Sequence, residues 1–117
     1  MIKVQLQHLQ FNSFHGIHEE EKILGNEYKI DASVEFHEDQ HVITSIHETV
    51  NYADIYKIIK MRMDIPTPLL ETILMEIGKE IHERFPHLRS INISIIKMHP
   101  PIEGIQGAAA VSYHKEF

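Results

Sequence analysis

Two residues far apart in the chain, Glu71 and Lys97, are of types that could bind and move protons together. Glu71 interrupts the apolar run Leu69-Leu70-Glu71-Thr72-Ile73-Leu74-Met75. Thr67-Pro68 ahead of it reads as an N-cap and first helical residue, so Glu71 is expected about one turn into a helix whose neighbours want burial. A carboxylate on such a face is costly unless something pairs with it, and the helix N-terminus favours its ionised form. Lys97 ends the strand-like run Ile91-Asn92-Ile93-Ser94-Ile95-Ile96, just before Pro100-Pro101. A buried acid and a strand-end lysine predict a pocket that grips an amidine-like group and exchanges protons.

The elements that must position this pair follow from length and periodicity. The 117 residues, 43% hydrophobic, suit one domain over residues 1–117 with a single core. The absence of cysteine excludes disulfides, thiolate metal sites and cysteine nucleophiles. Met1-Ile2-Lys3-Val4-Gln5 lacks the apolar core of a signal peptide and no stretch is long enough to span a membrane, so the cytoplasm is the expected compartment. A formal net charge of -6 without a basic cluster argues against nucleic-acid and membrane partners.

Ile2, Val4 and Leu6 alternate with polar neighbours and predict a first strand running toward Phe14. Tyr28, Ile30, Ala32, Val34 and Phe36 do the same and predict a second. Asn51 reads as an N-cap, and Ile55, Ile58, Ile59 and Arg62 continue a helical spacing up to Pro66. Leu70, Ile73, Leu74, Ile77, Ile81 and Phe85 form the stripe of a second helix, ended by Pro86. Strands are expected from Ser90 to Met98 and from Gly107 to His114. The order is ββααββ, an α+β fold with an antiparallel four-stranded sheet covered on one face by two antiparallel helices. The last strand carries Ala108-Ala109-Ala110-Val111, small and apolar on both sides, which suits packing against another subunit in a ring or barrel.

Four segments, in order, resemble the dihydroneopterin aldolase family. They are Phe14-His15-Gly16-Ile17 with Glu21 and Gly25; Val50-Asn51-Tyr52-Ala53-Asp54; Leu69-Leu70-Glu71-Thr72; and Lys97 with Pro100-Pro101-Ile102-Glu103-Gly104. The resemblance implies the tunnelling fold, in which four subunits close a barrel, two rings stack into an octamer, and sites lie between subunits. It implies a small-molecule pterin substrate, 7,8-dihydroneopterin, cleaved by a retro-aldol reaction to 6-hydroxymethyl-7,8-dihydropterin and glycolaldehyde in folate biosynthesis. The pterin C=N bond is the electron sink, so no cofactor, metal or Schiff-base lysine is expected.

The same resemblance assigns roles. Glu71 matches the anchor that accepts two parallel hydrogen bonds from the pterin, with Leu70 and Asn51 as further substrate-binding positions. Lys97 matches the catalytic lysine, and its amine, partly desolvated, is expected to have a lowered pKa. Tyr52 matches a proton-relaying tyrosine from a neighbouring subunit, and Glu21 a loop glutamate supporting the side-chain end of the site. Plainer readings stand beside these. Lys97 suits a strand edge, Glu71 a helix start, Tyr52 a half-buried aromatic, and Glu21 a solvated charge run in Glu19-Glu20-Glu21-Lys22. The ten histidines read as scattered polar surface rather than metal ligands. Alternatives to the aldolase are an epimerase of dihydroneopterin or its triphosphate, and a non-catalytic pterin-binding ring protein.

Overall fold

Residues 28–36 alternate as expected and form the inner part of strand β2 (Asn26–Phe36), with Tyr28, Ile30, Ala32, Val34 and Phe36 all buried. β2 pairs antiparallel with β1 (Ile2–Ser13) on one side and β3 (Ser90–Lys97) on the other. β4 (Ala109–Glu116) pairs with β3, giving the sheet order β1-β2-β3-β4 and leaving β1 and β4 as free edges. The computed structural model describes residues 1–117.

The inward row of β1 changes phase along the strand, from Ile2, Val4 and Leu6 to Leu9 and Phe11. A β-bulge absorbs the extra residue between Leu6 and Leu9. His8 adopts φ 59° there, and its N–H donates to Asp31 Oδ1 at 2.8 Å instead of continuing the ladder.

Helices α2 (Tyr52–Met63) and α3 (Leu70–Arg84) connect β2 to β3. Ile55, Ile59 and Met63 of α2 and Leu70, Ile73, Leu74, Ile77 and Ile81 of α3 join the inward rows of β2 and β3 in one core. Gly78 lets the sheet come close to α3, since a Cβ there would meet the Tyr113 ring at 3.0 Å. Asn51 caps α2 as expected, its Oδ1 accepting the Ala53 N–H. Thr67-Pro68 does not start α3. Leu69 is the N-cap, and Thr67 is buried two residues earlier with its hydroxyl bonded to the Ile65 carbonyl. The segment after β1, expected to be a charged loop, winds into helix α1 (Glu19–Leu24), and residues 46–48 form a short 3-10 turn. Three glutamates occupy the first turn of α1, where the helix dipole favours anionic side chains.

Candidate active site

Lys97 is the last inward residue of β3, in the row begun by Ile91, Ile93 and Ile95, and Tyr28 lies opposite it on β2. That position carries its aliphatic stem under the helical layer, with Nζ 5.9 Å from the centre of the Tyr28 ring. The Glu21 carboxylate meets the ammonium there, Nζ donating to Oε2 at 2.5 Å. The two side chains are only 11% and 6% exposed. Sequence expected Lys97 as a partly desolvated amine; it is desolvated, and it is also ion-paired with Glu21.

Glu21 leaves the charge run and turns inward while Glu19 and Glu20 stay exposed. Its other oxygen accepts the His18 N–H at 3.3 Å. Burial pushes the Glu21 carboxyl up, but the Lys97 hydrogen bond, the His18 N–H and the Lys97 charge outweigh it and the net shift is downward. Room for this carboxylate comes from Gly16. A Cβ at that position would lie 2.3 Å from the Glu21 carboxyl carbon, and the φ of +137° is one that other residues rarely adopt.

His15, expected at the surface, is fully buried. Its Nδ1 accepts the Thr67 N–H at 3.1 Å, and its carbonyl accepts the Tyr28 hydroxyl at 3.0 Å. Gly16 N–H donates to the Thr67 carbonyl at 3.0 Å. Burial, with the charges of Arg62 and Lys97, lowers the His15 pKa to about 4 against the pull of the Met63 backbone, so the ring is neutral near pH 7. Tyr28 is pushed up to about 12, by burial and then by the Glu21 charge, and remains a phenol donor.

Glu71 corrects an expectation. It lies in the first turn of α3 but faces solvent in the single chain, because the core stripe runs through Leu70, Ile73 and Leu74 and Glu71 falls on the flank. Leu70 itself is part of the core. Tyr52, first residue of α2, is 61% exposed, more open than a half-buried ring. It stands beside the N-cap Asn51 at the other end of the helix pair. There Arg84, at the end of α3, binds Asp54 in the first turn of α2 at 3.0 Å. Thirteen residue steps along α3 take Glu71 to Arg84, about 20 Å at the helical rise. One chain thus brings Glu21 and Lys97 together and keeps Tyr52 and Asn51 far from Glu71.

The roles of His15, Thr67 and Tyr28 were missed in the sequence. The available signal was Tyr28's place in the inward row, at a register opposite a strand-end lysine.

A four-stranded antiparallel sheet with two antiparallel helices on one face is the architecture of the tunnelling fold. The fold is similar to that of the Escherichia coli dihydroneopterin aldolase solved in complex with neopterin, at TM-score 0.84 and 16% identity, covering 98% of this chain and 99% of that one. It is also similar to the urate oxidase of Bacillus subtilis 168, at TM-score 0.66 and 12% identity over 97% of this chain and 46% of that one. Sequence narrows the choice. The family profile described as "FolB: Dihydroneopterin aldolase" matches residues 4–114. The dihydroneopterin aldolase of Bacillus subtilis (strain 168) is 29% identical over 113 residues, covering 95% of this chain and 94% of the relative. That of Streptococcus pyogenes is 23% identical over 118 residues, covering 99% of each. The chain belongs to the dihydroneopterin aldolase family of aldehyde-lyases.

Proposed function

We propose that this protein cleaves 7,8-dihydroneopterin in the cytoplasm to 6-hydroxymethyl-7,8-dihydropterin and glycolaldehyde, a step of folate biosynthesis. The observation that carries the reading is the Lys97–Glu21 pair, buried at the sheet's end in a chain whose family match runs from residue 4 to 114. The reaction needs a base for a side-chain hydroxyl, a sink for the electron pair of the breaking C–C bond, and an acid for the carbon left behind. The pterin C=N bond is the sink. The Lys97 ammonium is the acid, with Glu21 fixing its position; Tyr52 relays the hydroxyl proton out to water, and water returns a proton to Lys97 after the carbon has taken its own. Glu71, facing outward at the start of α3, offers two carboxylate oxygens to paired N–H groups of the pterin. Leu70 and Asn51 contribute to the walls.

The site is shared between chains in this reading. The helix pair separates Tyr52 from Glu71 by about 20 Å, too far for one small substrate to touch both. Other features support assembly into a tetrameric ring and an octamer. The radius of gyration is 15.8 Å, against about 13 Å expected of a compact domain of this length. Its accessible surface is 7494 Å², against about 6,600 Å² for a monomer of its mass. β1 and β4 both present free edges, which folded proteins ordinarily cover or pair. No helix is long and apolar enough to cross a membrane.

The test is one incubation each with dihydroneopterin, its epimer and its triphosphate, measuring glycolaldehyde and epimer. Glycolaldehyde released from the unphosphorylated substrate is expected. Epimer formed without glycolaldehyde, or no turnover, overturns the proposal.

A further inference from the structure

The dipeptide His15-Gly16 touches both halves of the site. Gly16 makes room for the Glu21 carboxylate, as its own Cβ would occupy that space. On the other side, the two residues hold both backbone polar groups of Thr67: its N–H by His15 Nδ1 at 3.1 Å and its carbonyl by the Gly16 N–H at 3.0 Å. Thr67 is followed by Pro68, of fixed φ, and by the N-cap Leu69, so its placement sets where α3 begins. Glu71 is in that first turn. The dipeptide is itself held from below, because the Tyr28 hydroxyl donates to the His15 carbonyl and Tyr28 pairs across the ladder with Lys97.

We propose that His15 is a positioning residue, whose Nδ1 fixes the start of α3 and with it the Glu71 carboxylate relative to the Lys97–Glu21 pair. The inference rests on the pterin reading of Glu71 given above. An apolar side chain would fill this buried position without leaving a polar atom unpaired. The imidazole instead buries Nε2 with no well-formed hydrogen bond, only the weaker pull of the Met63 backbone, a cost that the well-formed bond accepted at Nδ1 helps to offset. Donation from Thr67 fixes the tautomer, with Nδ1 bare and the proton on Nε2. The ring remains in this neutral form near pH 7, so the acceptor persists there.

The test is a cycle of pterin titrations on assembled wild type, His15→Leu, Glu71→Gln, the double variant, and His15→Asn, whose Oδ1 can stand where Nδ1 stands. His15→Leu is expected to weaken binding about tenfold, the scale of one hydrogen bond to Glu71 lost through misplacement. His15→Asn is expected to restore most of that affinity. In the Glu71→Gln background, His15→Leu should add less than about twofold, since coupled residues are not additive. Full additivity, or no rescue by Asn, overturns the proposal and leaves His15 a packing residue. Should His15→Leu not assemble, hydrogen exchange of wild type decides: the Thr67 amide is expected to be as protected as the interior of α3, and rapid exchange overturns the clamp. A wild type that binds pterin but releases no glycolaldehyde overturns the cleavage reaction alone, and the cycle still decides the role of His15. A wild type that binds no pterin overturns both.

Discussion

Each end of the helix pair carries an ion pair, and the two are built differently. Lys97 and Glu21 meet across 76 residues of sequence, sealed from water, with Gly16 shaped around the carboxylate. Arg84 and Asp54 meet in the open, 58% and 28% exposed, beside the uncovered ring of Tyr52. The first end is closed within one chain; the second is open. In the shared site proposed above, a second copy would bring its open end to the closed end of the first.

The largest effect should come from the closed end. Lys97→Ala leaves the Glu21 carboxylate buried without its counter-ion and is expected to lose stability, by about 3–5 kcal/mol; its assembled fraction should bind pterin and turn over at least ~100-fold more slowly in single-turnover kinetics. A variant keeping most of its rate would reduce Lys97 to a structural cation. Mixing then tests the two-ended architecture itself. Tyr52→Phe and Lys97→Ala, each inactive, are dissociated and reassembled together. If a site takes Lys97 from one chain and Tyr52 from its neighbour, roughly a quarter of randomly formed sites regain both residues in a symmetric ring. If both come from one chain, no mixture regains a complete site.

A smaller effect separates the ends by pH. His15 has a folded pKa of about 4 against 6.5 for the free side chain, so between these values the unfolded chain binds more protons. Its contribution is therefore full above pH 6.5 and lost as pH falls toward 4, by about 3 kcal/mol at most. Glu21, with its pKa lowered, adds a further loss as pH falls below its ordinary range. Urea midpoints at fixed protomer concentration should fall steeply from pH 7 to 4 in wild type and less steeply in His15→Asn. Equal slopes would mean that His15 does not ionise on unfolding in this range.

The same contrast explains what could be read from sequence. The strands and helices followed from Ile30, Val34, Ile73 and Ile77, because burial imposes a period of two or 3.6 on residues close in the chain. The bulge at His8 was present as a phase slip between Leu6 and Leu9, visible once the register is known. Lys97 and Glu71 stood out because each breaks an apolar pattern. Their settings did not follow: Glu71 is exposed because one step of 100° takes it off the stripe, and whether a flank is wet depends on neighbours that periodicity does not encode. His15 and Thr67 were illegible for another reason. Their bond spans 52 residues, and nothing local to either marks a buried acceptor.

The smallest effect expected is at the open end. A double-mutant cycle of Arg84→Ala and Asp54→Ala isolates the coupling between their side chains. An exposed pair is worth about 0.2–1 kcal/mol, because water screens it and two long side chains lose freedom in forming it. Arg84 also lies over the Phe85 ring at 4.9 Å, so Arg84→Ala alone includes lost packing, and only the cycle removes that contribution. Measured on dissociated protomers, if these remain folded, the coupling should fall at or below this range and shrink in high salt. Measured on the assembly, a clearly larger and less salt-sensitive coupling would mean that the neighbouring chain covers this end and dehydrates the pair. An unchanged coupling would leave Arg84 and Asp54 at the wet rim of the interface, and restrict the closing surface to Tyr52 and its immediate surroundings.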